Sequence, residues 1–289
     1  MKKIGVTADA PADLLETFAA ENDIVTVPFH LDLQKIKDFP GNIFEKMRKG
    51  EELGIDSSVK TSQPSLQQYL KVFQDALKKY EEVIHVAITS KASGAYNSAM
   101  QAKKFLGKDS DRVHVLDSET GTGAQALLIM KIVDDIKKNL DLDQIIQNFK
   151  RNIGKTFLIF TYDNPKWLKS GGRFPSIIPM GLQKMKEMNI KLMLREKNGM
   201  IKPMGIKKAK DIATPLFEEF SKMIKNVKGR IDVVITHADN IEEVNTLKKL
   251  IQSIKNKDIN ILYDKILTNE FVAHAGLKTI VLSFAYYEN

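Results

Sequence analysis

The amino-acid sequence predicts a two-lobed α/β protein, and three observations lead to this fold class. The chain has 289 residues, too many for one small hydrophobic core and a suitable number for two domains. Short runs rich in β-branched residues alternate with amphipathic segments, a rhythm typical of a mainly parallel sheet with helices on its faces. No low-complexity linker interrupts the chain. We therefore expect closely packed lobes at residues 1–155 and 156–289, with a cleft between them as the natural pocket.

The first lobe contains the clearest alternation of strands and helices. Its predicted elements are strand 3–8, helix 13–20, strand 24–30, a short helix near 44–48, turn 61–65, helix 66–80, strand 83–89, helix 95–105, strand 112–116 and helix 123–138. Ser65 and Gln68 have the spacing of a capping box at the start of helix 66–80. Ligands of parallel sheets bind where loops leave the carboxyl ends of the strands, so these loops are the candidate sites.

The second lobe is predicted to be another α/β unit. It starts with strand 157–161 and continues with a Lys-Ser-Gly-Gly-Arg turn, helix 182–188, strands 190–194 and 200–206, helix 209–224, strand 231–236, helix 241–254, strand 259–263 and strand 279–284.

Composition excludes several classes of protein. Hydrophobic residues make up 43% and charged residues 28% of the chain, which is a globular composition. The absence of cysteine excludes a disulfide framework, a thiolate nucleophile and a cysteine-ligated metal, and favours a reducing compartment. The apolar N-terminal stretch is too short for a signal peptide, and no stretch reaches the ~18 apolar residues that a membrane span needs. We therefore expect a cytoplasmic protein with no integral membrane segment.

Positive charge is concentrated in one segment of the chain. Residues 166–210 contain twelve Lys and Arg against two Glu and so carry +10, whereas the whole chain carries +8. A solvated lysine-rich surface and a docking face for an acidic or phosphorylated partner are both compatible with this pattern. The segment lacks a nucleic-acid recognition motif, so we expect no nucleic-acid partner.

Two hydroxyl-rich turns precede predicted helices. Residues 61–65 read Thr-Ser-Gln-Pro-Ser, and residues 89–94 read Thr-Ser-Lys-Ala-Ser-Gly. Unpaired N–H groups and the helix dipole favour an anion at such a place, and hydroxyls can donate to a carboxylate. Gly94 permits close approach of a ligand to the backbone beside Ser93. Helix capping is the alternative role of both turns, and neither has the spacing of a nucleophile elbow or a Walker loop.

The histidines show no metal-ligand spacing, and we expect most of them to be structural. His274 is the exception, because it lies on a predicted turn of small residues before the last strand, a better position for a site residue. Two hydroxyl turns and a histidine suit a carboxylate without demanding one. The residues by themselves therefore predict an anion-binding α/β protein.

Seven short motifs occur in an order known from one protein family. They are Asp9-Ala10-Pro11-Ala12-Asp13-Leu14, Val25-Thr26-Val27-Pro28, Lys60-Thr61-Ser62-Gln63-Pro64-Ser65, Ser93-Gly94-Ala95-Tyr96-Asn97-Ser98-Ala99, Val115-Leu116-Asp117-Ser118, Leu168-Lys169-Ser170-Gly171-Gly172-Arg173 and His237-Ala238-Asp239. Each motif is weak alone, but seven in order with suitable spacing are specific. The chain resembles the DegV family, also called fatty-acid-binding or fatty-acid-kinase B-type proteins, over essentially its full length.

This resemblance implies a protein that encloses one long-chain fatty acid, with the tail in an apolar tunnel and the carboxylate at the lobe junction. It implies that Thr61 and Ser93 hydrogen-bond the carboxylate, helped by Ser62 and by the backbone of Gly94. His274 matches a histidine near the family's carboxylate site. No cofactor or metal is implied, because the fatty acid is itself the ligand.

The resemblance also implies a partner protein. Arg173 matches the arginine of the family's Gly-Gly-Arg turn, on the side where a fatty acid kinase docks to phosphorylate the bound acid. Lys208 stands where a family arginine is expected. The expected role is a carrier in phospholipid metabolism, not an enzyme. The enzymatic alternative is serine-dependent acyl transfer or hydrolysis by Ser93 with His274, for which no triad carboxylate is recognisable.

Overall fold

The chain divides into two compact units, each discontinuous in sequence. The computed structural model describes residues 2–55, 59–162, 185 and 187–287. The first unit contains residues 1–30, 62–156 and 198–200, and the second contains residues 31–61, 157–197 and 201–289. The expected lobes at 1–155 and 156–289 are continuous segments and stay a prediction. In the structure, residues 31–61 belong with the second unit and residues 198–200 with the first.

Strands and helices alternate along the described residues. The strands are β1 (Lys2–Asp9), β2 (Val25–Val27), β3 (His30–Asp32), β4 (Lys60–Ser62), β5 (Tyr80–Ala87), β6 (Val113–Asp117), β7 (Thr156–Thr161), β8 (Ile190–Lys197), β9 (Met200–Lys208), β10 (Arg230–His237), β11 (Asp258–Ile266) and β12 (Ile280–Tyr287). The helices are α1 (Glu16–Glu21), α2 (Ile43–Glu52), α3 (Leu66–Leu77), α4 (Ala95–Lys104), α5 (Thr122–Lys137), α6 (Leu142–Ile153), α7 (Ala213–Ile224), α8 (Ile241–Gln252) and α9 (Asn269–Ala275). None of the helices within the described ranges is long and apolar enough to cross a lipid bilayer.

The first unit is built on a four-stranded sheet in the order β2-β1-β5-β6. All three neighbouring pairs are parallel, which confirms the predicted parallel sheet. The core contains Tyr69 and Phe73 of α3, Val83 of β5 and Ala99 of α4, all fully buried. Eleven of the sixteen residues of α5 are buried, so this helix lies inside the unit and not on its surface. β3 and β4 form a separate two-stranded sheet.

The second unit contains a six-stranded sheet in the order β11-β10-β12-β7-β8-β9. β10 pairs in parallel with β11 and antiparallel with β12, and β7 pairs antiparallel with β8. Its core contains Leu216 and Phe220 of α7, Leu247 of α8 and Phe284 of β12. The Phe220 and Phe284 rings meet edge to face with centroids 5.0 Å apart, a favourable aromatic geometry.

Several predicted elements are wrong in their bounds, for local reasons. α1 begins at Glu16 and not at residue 13, because Asp13 has a left-handed φ of 52° that interrupts the helical path. The predicted strand 24–30 divides into β2 and β3, since Pro28 between them has no N–H to donate. The first residues of the predicted turn 61–65 extend β4 instead. α6 was not predicted, although Asp141 and Gln144 form a capping box at its start. The Lys-Ser-Gly-Gly-Arg turn and most of the predicted helix 182–188 lie outside the described residues.

Candidate functional site

Thr61 and His274 lie together in the second unit. Thr61 is the central residue of β4, and its Oγ1 is 2.6 Å from Nε2 of His274. Both side chains are half-buried. A threonine hydroxyl has one hydrogen and two lone pairs. When Nε2 of His274 carries a hydrogen, it donates to Oγ1, and the Thr61 hydrogen is then left for an acceptor such as a carboxylate.

The predicted turn at His274 is wrong, because this residue lies in the helix α9. The helix follows Thr268, whose backbone is extended, and it ends at Gly276, which has a φ of 76°. The Gly276 N–H bonds to the carbonyl of Val272 at 2.8 Å, which continues the helical bonding pattern to the end of α9. The small residues around His274 are alanines, which are the best helix formers. The helix backbone therefore sets the position of His274 against Thr61.

Ser93 and Gly94 end the loop between β5 and α4 in the first unit. Oγ of Ser93 accepts the backbone hydrogen of Ala95 at 3.1 Å, which satisfies one N–H of the helix start. The N-cap residue of α4 is Gly94, so Ser93 satisfies this N–H from the preceding position and not as the N-cap. This bond does not exclude ligand binding, because a hydroxyl oxygen that accepts from the backbone keeps its own hydrogen for donation.

Gln63 connects residues 62–65 to the start of α4 within the first unit. Its Nε2 donates to Oγ of Ser98 at 3.2 Å. A Cβ added at Gly94 would lie 2.5 Å from the Gln63 side-chain amide. Gly94 has an ordinary φ of −78°, so any preference for glycine here comes from the approach of the Gln63 side chain and not from backbone conformation. The structure thus brings the segment after Ser62 against the Ser93 turn, two segments that the sequence separates by about thirty residues.

Thr89 and Asp117 fix the start of the loop that carries Ser93. The Thr89 hydroxyl donates to the carbonyl of Gly199 at 3.0 Å, and the Thr89 carbonyl accepts from the Ser93 N–H at 3.2 Å. The carboxylate of Asp117, the last residue of β6, accepts from the Ser90 N–H at 3.2 Å. Hydrogen bonds to Gly199 and Asp117 therefore hold the start of the loop, and the bond between Thr89 and Ser93 holds its end.

Sequence patterns did not indicate the buried polar cluster at the end of β1. Oδ1 of Asp9 accepts from the Tyr69 hydroxyl at 2.5 Å, and Oδ2 accepts from the Ile88 N–H at 2.8 Å. Nε2 of His85 is 3.5 Å from Oδ1, and Nδ1 of His85 is 3.0 Å from Oγ1 of Thr7. Burial, and then the charge of Asp9, raise the pKa of Tyr69, so the phenol stays protonated and donates. The sequence signal that could have indicated this cluster is the position of Asp9, an acidic residue at the carboxyl end of a predicted strand.

Of the two residues predicted to contact a partner protein, the structure describes only Lys208. Arg173 lies outside the described residues. Lys208 is exposed at the end of β9, an edge strand of the six-stranded sheet. The preceding Lys207 bonds to Glu218 at 2.7 Å and Glu219 at 3.2 Å, and these bonds raise the pKa of Lys207.

Comparison with known families accounts for nearly the whole chain. The family model described as "Uncharacterised protein, DegV family" matches residues 3–287. The chain belongs to the DegV family. The match spans both units, so the membership predicted from the seven motifs is confirmed.

DegV domain-containing proteins of several bacteria are similar in sequence. One from Clostridium perfringens is 27% identical over 298 residues, covering 98% of this chain and 98% of that protein. Another, from Caldanaerobacter subterraneus, is 25% identical over 256 residues, covering 88% of this chain and 89% of that protein.

Solved DegV structures share the fold at lower identity. A Thermus thermophilus DegV protein described by its fatty acid binding has a TM-score of 0.83 at 19% identity, covering 99% of this chain and 100% of that one. A stearic-acid-binding protein from Eubacterium ventriosum has a TM-score of 0.81 at 22% identity, covering 99% and 98%. These likenesses confirm the predicted α/β DegV fold, with a parallel sheet in the first lobe.

Proposed function

We propose that this DegV protein binds one long-chain fatty acid and carries it, without acting on it as an enzyme by itself. The observation that supports this proposal most strongly is the fold. It is shared over 98% or more of this chain with proteins described with stearic, vaccenic and heptadecanoic acids. These ligands have in common a carboxylate and a long apolar chain. The protein then needs an apolar tunnel for the tail and hydrogen-bond donors for the headgroup.

The tail provides most of the affinity in this proposal. Burying about fifteen methylenes at roughly 0.8 kcal/mol each gives about 12 kcal/mol before the costs of association and ordering. Hydrogen bonds to a charged group contribute about 1.5–3 kcal/mol each, and they mainly offset the desolvation of the carboxylate. The headgroup residues therefore select an acid over an alcohol or an ester.

We assign the carboxylate to donors from Thr61, Ser62 and Ser93 and from the backbone of Gly94. Two observations support the roles of Thr61 and Ser93 in this set. The Thr61 hydroxyl lies 2.6 Å from Nε2 of His274, which lets the histidine supply one hydrogen bond to Oγ1 while the Thr61 hydrogen goes to the ligand. The Ser93 oxygen accepts from the Ala95 N–H, which likewise leaves its hydrogen for an acceptor. A carboxylate only accepts hydrogen bonds, so it matches these hydroxyls.

We further propose that the protein presents the carboxylate to a fatty acid kinase, which forms the acyl phosphate. In this role Arg173 and Lys208 interact with the kinase or with the transferred phosphoryl group. The exposure of Lys208 on an edge strand supports contact with a partner. A lysine supplies a point charge to phosphate, whereas an arginine adds a bidentate pair.

Mass spectrometry under native conditions tests the binding proposal. The purified protein, incubated with palmitate, should gain the mass of one fatty acid. Thr61→Val keeps the side-chain volume but removes a donor, so it should weaken palmitate binding about tenfold or more, the cost of one hydrogen bond to a charged group. Thr246→Val is the matched control in the second unit, because Thr246 is exposed on α8 and bonds to the Glu242 carbonyl.

Two results would overturn the proposal. The first is wild-type protein that neither retains a fatty acid nor takes up added palmitate. The second is turnover of an activated ester with a covalent adduct on Ser93, which would favour the acyl-transfer alternative.

A further inference from the structure

Asp9 is a completely buried carboxyl group that lies between the two hydroxyl segments of the first unit. It ends β1, and its relative exposure is 0%. Oδ1 accepts from Tyr69, which lies in the first turn of α3, just after residues 62–65. Oδ2 accepts from the N–H of Ile88, which opens the loop leading to Ser93. One side chain thus joins α3, which follows the Ser62 segment, to the start of the loop that leads to Ser93.

Burial of the Asp9 carboxyl group is energetically unfavourable, so it needs hydrogen bonds that compensate for the lost contact with water. Asp9 has two such bonds, at 2.5 Å and 2.8 Å, and Nε2 of His85 lies 3.5 Å from Oδ1. Two directed bonds to one rigid carboxyl group fix the separation of their donors more tightly than apolar packing does.

A second tie joins the same segments on the surface. The Gln63 side chain lies over Gly94 and donates to Oγ of Ser98. The bonds of Asp9 and the bond of Gln63 are thus separate contacts between the region that follows Ser62 and the region that contains Ser93. Headgroup geometry therefore depends on residues that do not need to touch a ligand.

We infer that Asp9, with Tyr69, is a positioning device for headgroup recognition. It acts through the Ile88 N–H and the start of α3, and it aligns the Ser62 and Ser93 segments for a carboxylate. This inference rests on the proposed binding of a fatty acid. It assigns to Asp9 the discrimination between an acid and an uncharged head of the same chain length, and it leaves the affinity for the tail to other residues.

Tyr69→Phe is the sharpest variant for a test, because it deletes only the hydroxyl. The ring keeps its packing on His85, with centroids 5.2 Å apart, and on Phe73, at 6.1 Å. Dissociation constants for palmitate and for hexadecanol should be measured for wild type and variant. The palmitate-to-hexadecanol affinity ratio should fall about tenfold, the factor expected when one charge-assisted hydrogen bond is misaligned, while hexadecanol affinity stays constant.

Tyr80→Phe is the matched control. Tyr80 donates to Oδ2 of Asp23 at 2.6 Å, which is the same kind of tyrosine–aspartate bond in the same unit. Tyr80 opens β5, whereas Ile88 follows the end of that strand, about 26 Å away at 3.3 Å per residue. The Tyr80→Phe variant should keep the wild-type affinity ratio even if it loses stability.

The outcomes separate the two proposals. If wild type shows no binding of palmitate, the carrier function itself fails. If wild type prefers palmitate and Tyr69→Phe keeps the full preference, the positioning role of Asp9 is wrong and the carrier function stands. An equal loss of affinity for both ligands would assign Asp9 to the fold and not to headgroup recognition. Should Tyr69→Phe not fold, Asp9→Asn, which keeps side-chain volume, replaces it in the same assay.

Discussion

At the scale of single residues, three histidines have different surroundings and therefore different roles. His274 faces the Thr61 hydroxyl across 2.6 Å and lies in the proposed headgroup site. His85 is fully buried between Thr7 and Asp9. Nδ1 of His237 accepts the N–H of Asn240 at 3.0 Å, so this nitrogen has no hydrogen of its own. Histidine therefore has three roles in this protein: in the proposed headgroup site, in a buried polar cluster and in holding a loop. The residue type alone does not tell these roles apart.

His237 should make the stability of the protein depend on pH. Burial lowers the pKa of His237, against a smaller opposite effect of Asp264. The unfolded chain then binds a proton more readily than the folded chain below about pH 6.5, so acid favours unfolding. The free energy of unfolding should fall as the pH decreases from 7 to 5. His237→Gln should flatten this decrease, because glutamine keeps an acceptor for Asn240 and does not titrate.

Urea denaturation at several pH values measures this effect. His30→Gln is the control, since it removes a histidine that is exposed in the structure. An unchanged pH slope in the His237→Gln variant would show that the lowered pKa of His237 does not contribute to stability.

At the scale of elements, the turn between β8 and β9 supports the loop that carries Ser93. Asn198 and Gly199 form this two-residue turn with φ values of 53° and 75°, as type I′ hairpins require. The Gly199 carbonyl accepts the Thr89 hydroxyl. A Cβ at Gly199 would lie 2.5 Å from Oγ1 of Thr89 and 2.9 Å from Cγ of Lys91. Glycine is therefore needed here for two reasons, its positive φ and the approach of the loop.

Comparing Gly199→Ala with a second glycine variant should separate the effect of the positive φ from the effect of crowding against the loop. A left-handed alanine costs about 1–2 kcal/mol, and crowding against Thr89 should add about 1–3 kcal/mol more. Gly107→Ala is the matched control, because Gly107 has a φ of 60° with nothing within 4 Å of an added Cβ. Chemical denaturation should show a clearly larger loss for Gly199→Ala. Equal losses in the two variants would mean that the Thr89 loop moves aside at no cost.

At the scale of the whole molecule, each unit has a hydrophobic core of its own. The first core is centred on Tyr69, Phe73 and Val83, and the second on Phe220 and Phe284. Each unit therefore has its own source of stability, and a ligand that binds only the folded chain adds to it. This addition follows mass action, with about 2.7 kcal/mol at a free concentration one hundred times the dissociation constant.

Palmitate should therefore raise the melting temperature, by about 4–5 °C at that saturation for a chain of this size. Octanoate has the same carboxylate with eight fewer methylenes, which removes about 6 kcal/mol of burial. At the same concentration it should leave the melting temperature unchanged. Thermal denaturation followed by circular dichroism measures both shifts. An equal shift by the two acids would show that the carboxylate, and not the tail, supplies the affinity.

The sequence by itself determined the features that depend on neighbours along the chain. Periodicity predicted the parallel first sheet, the Ser65–Gln68 spacing predicted the capping box that the structure contains, and hydroxyl residues marked the turns before α3 and α4. The motifs then indicated the family. Such features follow from local backbone preferences and from the period of apolar residues, which a sequence displays directly.

Only the tertiary structure decided which distant residues meet. Thr61 and His274 lie 213 positions apart, and Asp9 joins Tyr69 and Ile88 across sixty and seventy-nine positions. These contacts arise because strand order and helix packing bring separate segments together, and no local pattern encodes such a pairing.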